Sequence, residues 1–514
     1  MIAPILDHRG NPIRSTSRLP NRLQNRIHAR FDAAAFTSET ENHWKLVDSL
    51  SAASSASPSV RKILRSRSRY ECNENNSYAK GMILLLANSI VGTGPRLQMQ
   101  TPSDKFNRWI EQEFSLWCKS VGLAKKLRTM IKAKKVDGEA FCVPSTNRRL
   151  KTPVKLSLKL LEAEQVTTPL QQLLKESEAV DGIQFDGDGN PDLYHVLKSH
   201  PGSSITFGQS AAKVDVDAEQ MIHLFREDRP GQRRGIPETT PALPLFSMLR
   251  RYVLAVLAAA ETAADFAAVM YTDSAALNGE EIPDLAIDEG LPIDRRLFQV
   301  MPYGWKMSQL KAEQPTTTFG EFRAAIINEA ARCLLLPFNV AAGNSSSYNF
   351  ASGKLDSNIF EDSIRIERDE IDTGCLDAIL GWWFDEAALL PGYIPEEYEP
   401  YMLHRHTWFW DSASRAIDPA KDAKATETRL KSGSTHRARV LAEQGRDVDA
   451  EDEMAAKSFG LTVEEYRRRL ADGLFGGPKA AASHQDDSQD EQEMSDADQK
   501  AEAVVRNILA PQFA

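Results

Sequence analysis

The chain combines long stretches of helical periodicity with one stretch of strand-like periodicity. Apolar residues recur every three or four positions between about residues 58 and 135, which predicts several helices. After Gly138 the period shortens towards two, and Gly, Asp and Asn separate the apolar runs as far as about residue 225. The pattern therefore predicts an α+β fold that is mainly helical. One predicted helix has a clear apolar face, made of Phe106, Trp109, Ile110, Phe114 and Trp117.

Long helices return from residue 241. Residues 241–272 form an Ala-rich run with prolines only near its start, which predicts a long helix with a smooth surface. A turn-rich insertion follows at 273–317, and a second helix is predicted over 318–337. Residues 338–353 are small and polar, and a long helix follows them. A loop of this kind between long helices is unusual for a compact enzyme.

The long helix after this loop is predicted to run from about Leu355 to Phe384, with one apolar face and one charged face. The predicted apolar face consists of Ile359, Phe360, Ile364, Ile371, Cys375 and Ile379.

Both ends of the chain are polar and carry opposite charges. Residues 1–30 contain six arginines and a single acid, Asp7, which indicates a basic, loosely ordered arm. Basic residues are also frequent at 61–69 and 125–135. Residues 477–514 are rich in Ala, Ser, Gln, Asp and Glu, so we expect an acidic, disordered tail.

Composition narrows the class of protein. The chain has 514 residues, a net charge of −10 and 42% apolar residues, enough for several folded units. The five scattered cysteines indicate reduced core residues. The net negative charge argues against a protein that binds nucleic acid over its whole surface, but it does not argue against a protein that DNA merely passes through. No 18 consecutive residues are apolar and no secretory signal is recognisable, so we expect neither a membrane protein nor export.

Sequence motifs for catalysis are incomplete. Gly353-Lys354 lacks the rest of a Walker A motif, and the GTGP sequence at 92–95 precedes an extended segment instead of a helix. His404 and His406 alternate on a predicted strand, but no further ligand follows at metal-binding spacing, which favours simple packing. The sequence therefore predicts no catalytic residue, no cofactor site and no metal site.

Several longer motifs are distinctive. They are ARFDAAAFTSETENHW, VRKILRSRSRYECNENNSYAKGMILLLANSIVGTGPRLQ, VDGEAF, MIHLFREDRPGQRRGIPETTPAL and IDPAKDAKATETRLKSG, spread from about residue 28 to 445. With these motifs the chain resembles the portal proteins of lambda-type tailed bacteriophages. The elements RPGQRRGIP and NN-x-YA-x-G are the most specific.

The resemblance implies the portal fold, in which wing, stem, clip and crown regions assemble into a ring around a central channel. The implied divisions are a basic arm at 1–30, a wing at 31–240, a first stem helix at 241–272, a clip at 273–317, a second stem helix at 318–337, a tunnel loop at 338–353, a spine helix with a return to the wing at 354–410, a crown at 411–476 and a tail at 477–514.

The resemblance also implies a function and partners. Twelve copies would form a ring at one capsid vertex, assembled in the host cytoplasm, through which double-stranded DNA enters the head and later leaves it. The implied partners are the major capsid protein, the large terminase and a head-tail adaptor, with no membrane, cofactor or enzymatic activity. The residues expected to meet DNA are the loop residues Asn344, Ser345, Ser346, Ser347, Tyr348 and Asn349, and the candidate basic residues for the channel or the subunit contacts are Arg250, Arg251, Arg323 and Arg332.

Two other classes of function stay open at this stage. A metal-dependent nuclease would need clustered carboxylates, and none is evident in the sequence. A generic viral scaffold or adaptor protein would self-associate without forming an axial channel.

Overall fold

The computed structural model describes residues 49–52, 57–167, 179–203, 213–265, 269–272, 305–308, 318–346, 348–411, 419–444, 446 and 448–475. The predicted arm at 1–30 and the predicted tail at 477–514 lie outside these residues, as does most of the predicted clip. The chain divides into two units. One comprises Met1–Val60 and Glu227–Arg233, and the other comprises Arg61–Arg226 and Arg234–Ala514.

The first unit has few described residues. Within it, the Arg229 guanidinium donates a hydrogen bond to the Leu50 carbonyl (3.0 Å), and the Gln232 side-chain oxygen accepts one from the Asp228 N–H (3.1 Å).

Helices dominate the second unit. Side-chain caps start several of them: Asn76 accepts hydrogen bonds from the N–H groups of Tyr78 and Ala79, and Ser103 accepts one from Phe106. The helices in the described residues are α1 (Pro58–Arg69), α2 (Ser77–Val91), α3 (Asp104–Val121), α4 (Leu123–Asp137), α5 (Leu243–Asp265), α6 (Phe319–Arg332), α7 (Phe338–Ala342), α8 (Phe350–Ile371), α9 (Asp377–Ala388), α10 (Pro419–Lys431), α11 (Arg437–Glu443), α12 (Val448–Phe459) and α13 (Val463–Phe475), with π-helical turns at Tyr70–Asn75 and Asp372–Leu376.

The strands form small antiparallel sheets. The strands in the described residues are β1 (Arg96–Met99), β2 (Glu139–Thr146), β3 (Leu156–Leu161), β4 (Ala179–Val180), β5 (Ile183–Phe185), β6 (Pro191–Leu197), β7 (Lys213–Asp217), β8 (Ile222–Phe225), β9 (Val269–Thr272), β10 (Trp305–Ser308) and β11 (His406–Phe409). The strand order is β3-β2-β8 in one sheet and β4-β5-β6-β7 in another, and β1-β11 and β9-β10 form two separate two-stranded sheets. The prediction of a mainly helical α+β fold is confirmed.

The main core includes buried residues of α3 and α9. Phe106, Ile110, Phe114 and Trp117 of α3 are buried, as their spacing predicts. The Phe114 and Trp383 rings meet edge to face with centroids 5.5 Å apart, a favourable aromatic geometry. Later helices of the chain also pack into this core.

Three predicted boundaries differ from the structure. The helix predicted over 241–272 ends at Asp265, and Val269–Thr272 is a strand because its β-branched and aromatic residues favour pairing with β10. The helix predicted to reach residue 337 ends at Arg332. It cannot continue to 337 because Pro337 donates no N–H and disfavours a helical conformation of the residue before it. Residues 338–353, predicted as one loop, begin with the short helix α7 and end inside α8, which leaves a loop of 343–349.

One helix in the described part of the chain, Thr240–Glu261, is long and apolar enough to cross a membrane, with a mean hydropathy of 1.5. Arg250 and Arg251 lie near its middle, where a bilayer would oppose their charge. We therefore interpret its apolar side chains as surface for packing against protein.

Candidate functional site

Motifs that are far apart in the sequence meet around one buried carboxylate, that of Glu139, which is 1% exposed. Arg65 of α1 forms an ion pair with it. The Nε atom of Arg234 lies 2.9 Å from its Oε2, and the Gly235 N–H donates to the same oxygen at 3.0 Å. The VDGEAF, VRKILRSRSR and RRGIP elements therefore share one buried ionic cluster, which we call the Glu139 cluster.

The Glu139 cluster keeps its carboxylate ionised. Burial by itself raises the pKa of Glu139, but the charges of Arg234 and Arg65 outweigh it and hold the pKa well below the usual range. His223 lies with its Nε2 3.1 Å from Glu139 Oε2, stacked between Phe141 and Phe225. Burial lowers the pKa of His223, which favours the neutral ring.

Two glycines let the backbones of this cluster touch. Gly138 has φ +89°, and a Cβ there would lie 2.3 Å from the carbonyl carbon of Ile236. A Cβ on Gly235 would lie 2.0 Å from the carbonyl oxygen of Gly138. No side chain fits at either position, so the VDGEAF and RRGIP elements depend on glycine for steric reasons.

Two of the basic residues of α1 do not face solvent. Arg61 pairs with Asp181, Arg65 pairs with Glu139, and both arginines are 4% exposed. The outer side of the helix instead shows Ile63, which is 50% exposed. The helix buries these two charges because their partners are carboxylates, and so Arg61 and Arg65 do not form a phosphate-binding surface.

The side chains of Glu162, Glu164 and His200 come close enough together to resemble a metal site. The cation of Arg69 already lies there, with its Nη2 2.8 Å from Glu164 Oε2 and 3.8 Å from Glu162 Oε2. The Nδ1 of His200 accepts a hydrogen bond from the Gly202 N–H (3.0 Å), which leaves the ring proton on Nε2, facing the carboxylates. The arrangement is an ionic cluster and fits a metal poorly.

Two lysines of the basic stretch 125–135 are also buried in ion pairs. Lys134 Nζ lies 2.8 Å from Glu367 and 2.7 Å from Glu370, both on α8. Lys135 Nζ lies 2.8 Å from Glu238, just before α5 begins. These pairs tie α4 to α8 and to the start of α5.

The loop predicted to meet DNA lies between α7 and α8. Asn344, Ser345 and Ser346 are exposed, and Ser347 lies outside the described residues. Asn349 caps α8, accepting a hydrogen bond from the Ser352 N–H at 2.8 Å. The structure thus presents small polar side chains at the loop tip.

The remaining loop residue, Tyr348, is turned towards protein. It lines a cavity of about 400 Å³ between α6, α7 and α8 together with Asn328, Arg332 and Asp356. Burial and the neighbouring Asp356 carboxylate raise the pKa of Tyr348. Tyr348 therefore anchors the end of the loop.

The four candidate arginines lie in different surroundings. Arg250 is half-buried with its guanidinium carbon 5.9 Å from the ring centroid of Tyr70, and Arg323 lies 5.6 Å from that of Phe319. Arg251 is exposed on α5. Arg332 is the candidate that the structure brings to the loop, since it lines the Tyr348 cavity.

The α5 and α6 helices pack on each other through aromatic rings. The Tyr252 centroid lies 5.1 Å from that of Phe322 and 5.7 Å from that of Phe319. Other large apolar side chains of α5 are exposed, notably Leu254 (56%) and Leu257 (54%). A single copy therefore leaves apolar surface on this helix pair uncovered.

The α8 helix has two apolar faces, and the sequence analysis identified only one. Phe360, Ile364 and Ile371 are buried in the core. Ile359, which we predicted on that face, is 54% exposed and lies instead with Leu355 (61%) and Ile366 (64%). These three positions share one side of the helix because they are spaced by four and seven residues. That spacing was visible in the sequence and could have revealed the second face.

Comparison with known proteins gives one family and a curated relative. The model of the family described as "Phage portal protein, lambda family" matches residues 38–368, more than half of the chain. The "Probable portal protein" of Halomonas phage phiHAP-1 is 24% identical over 451 residues, covering 80% of this chain and 84% of that protein.

Solved structures with a similar chain come from gene transfer agent (GTA) particles. "Neck of native GTA particle computed with C12 symmetry" matches with a TM-score of 0.41 and 14% identity, covering 75% of this chain and 93% of the other. "Virion of native gene transfer agent (GTA) particle" matches with a TM-score of 0.39 and 12% identity, covering 74% and 93%.

Proposed function

The chain belongs to the lambda family of phage portal proteins, a structural component of a phage particle and not an enzyme, and we propose that twelve copies form a ring at one capsid vertex. The ring encloses a channel for double-stranded DNA, used for packaging and later for ejection. It assembles in the cytoplasm of the host.

The second apolar face of α8 is the observation that carries this proposal. Several large apolar side chains exposed on one side of a helix favour an interaction site. A closed ring requires one face of each copy to bind a different face of the next copy. The exposed stripe of α8 supplies one such face, and the uncovered side chains of α5 add to it.

The loop at 343–349 is proposed to line the channel. Its exposed tip carries Asn344, Ser345 and Ser346, which have no net charge. Because each Lys or Arg that contacts a phosphate adds affinity, uncharged side chains let a duplex slide with little friction. Arg332 lies beside the loop, so of the four arginines it is the one we assign nearest the DNA.

The partners follow from the family and the proposed divisions of the chain. The wing meets the major capsid protein. The clip at 273–317 binds the large terminase during packaging and a head-tail adaptor afterwards, and the crown faces the packed genome.

The assembly claim is tested by changing the exposed face of α8. We expect Ile359→Ser combined with Ile366→Ser to shift the purified protein from large rings towards small species, measured by light scattering on a sizing column. Leu389→Ser is the matched control, because Leu389 is 80% exposed but lies outside α8. Rings that form equally well with the α8 variant would contradict the role of this face.

The loop claim is tested by adding charge at its tip. Ser345→Lys combined with Ser346→Lys should slow DNA packaging, and more strongly at low salt, because the new cations bind phosphates. Ser120→Lys, at an exposed position of α3, is the control. Packaging at the normal rate at every salt concentration would show that the loop does not meet DNA.

A further inference from the structure

The outer faces of α1 and α8 carry matching apolar residues and opposite charges. On α1 and the π-helical turn that continues it, the exposed residues include Ile63 and Tyr70 (51% exposed) with the cations Lys62 and Arg67. On α8 they include Ile359 and Ile366 with the anions Asp362 and Asp369. The exposed Arg365 forms an ion pair with Asp362 within the same helix, and Asp369 is exposed one turn further along.

The two faces also match in spacing. Ile63 and Tyr70 are seven residues apart, as are Ile359 and Ile366, so each pair spans about 10 Å along its helix at 1.5 Å per residue. A charged residue lies between the two apolar residues in both cases, Arg67 on α1 and Asp362 on α8. If the two helices pack against each other, their apolar residues can therefore make contact while their opposite charges pair.

Charge also disfavours the symmetric alternatives. Two α8 faces brought together would set Asp362 and Asp369 against their own copies, and two α1 faces would do the same with Lys62 and Arg67. Juxtaposed like charges oppose such a pairing, while opposite charges favour contact between unlike faces. Contact between unlike faces is the head-to-tail arrangement that closes into a ring.

We propose that the outer face of α8 in one copy docks on the outer face of α1 in the next copy. This inference rests on the proposed ring and names the two surfaces that build it. The exposure of Ile63 and Tyr70 on the side opposite the buried Arg61 and Arg65 then has a physical reason. The Glu139 cluster holds the helix from within, and the neighbouring copy covers it from outside.

Charge exchange across the contact tests this pairing. One variant carries Lys62→Glu and Arg67→Glu, a second carries Asp362→Lys and Asp369→Lys, and a third carries all four changes. The readout is the protein concentration at which half of the chains are in rings, measured by native mass spectrometry at low salt. Far-UV circular dichroism checks that each variant is folded.

We expect each one-sided variant to need at least about tenfold more protein for half-assembly, because like charges then face each other. For the variant with all four changes, the protein concentration needed for half-assembly should return to within about threefold of that of the unmodified chain. Lys119→Glu with Arg468→Glu is the control for net charge, since both residues are exposed outside α1 and α8.

Several results would overturn the pairing. These are one-sided variants that assemble normally, a four-fold variant no better than either one-sided variant, or a control that fails as strongly as they do. Each of these outcomes leaves the ring itself intact in the unmodified chain. Failure of the unmodified chain to form rings would instead contradict the proposed function.

Discussion

The helix α3 and the part of α1 from Arg61 onward belong to the same unit, but they turn opposite kinds of residue inward. The α3 helix buries Phe106, Phe114 and Trp117. The α1 helix buries Arg61 and Arg65 and exposes apolar residues. The difference shows that the face a helix turns inward depends on what it meets there, an aromatic core for α3 and carboxylates for α1.

The two helices should also differ in how they tolerate substitution. The α3 core loses stability in proportion to the apolar volume removed, because a cavity is left behind. The Glu139 cluster loses stability when one partner is removed, because the opposite charges are then buried without compensation.

The largest effect is expected at the Glu139 cluster. Glu139→Gln removes the negative charge between Arg65 and Arg234 and should lower the free energy of unfolding by about 4 kcal/mol, as measured by urea denaturation. A loss below about 1 kcal/mol would mean that the carboxylate does not hold α1 in place.

A somewhat smaller effect is expected in the α3 core. Ile110→Ala should cost about 3 kcal/mol in the same measurement, since the side chain is fully buried. An effect as small as that of an exposed substitution would contradict the packing of α3.

The stability of the Glu139 cluster should depend on pH, whereas that of the α3 core should not. The pKa values of Glu139 and His223 are lowered in the folded protein, so the unfolded chain binds more protons. Their contribution to stability is therefore complete above about pH 6.5 and is lost as the pH falls, first below the ordinary value of 6.5 for His223 and then below 4.5 for Glu139.

Denaturation curves between pH 8 and pH 3 check this expectation. Below pH 4.5, where the carboxylate contribution is lost, Glu139→Gln should flatten the dependence of stability on pH, while Ile110→Ala should leave its slope unchanged. Equal slopes for the unmodified chain and Glu139→Gln would contradict the role given to the cluster.

The smallest effect on folding is expected on the outer face of α1. Ile63→Ala should change the free energy of unfolding by less than about 0.5 kcal/mol, because the side chain is half exposed. A large loss would indicate that Ile63 packs within its own chain instead of against a neighbour.

Sequence alone predicted the elements whose partners lie in the apolar core. The face of α3 and the strands after Gly138 follow from hydrophobic periodicity, and the loop near residue 345 follows from its small polar residues. The motifs also identified the family correctly.

Sequence could not predict the features that depend on distant partners. Arg61 and Arg65 read as a basic surface, because nothing near them in the chain reveals Asp181 and Glu139. Ile359 was predicted as a core residue because hydrophobic periodicity gives the spacing of apolar positions. It does not show which apolar face of a helix is buried within its own chain. Pro337 marks the latest point at which α6 can end, but it does not reveal that the helix already ends at Arg332.

Electron microscopy of the purified full-length protein tests the central claim most directly. A closed ring with a channel wide enough for duplex DNA is the predicted result. A population of monomers or dimers without a channel, unchanged across salt and protein concentrations, would contradict it.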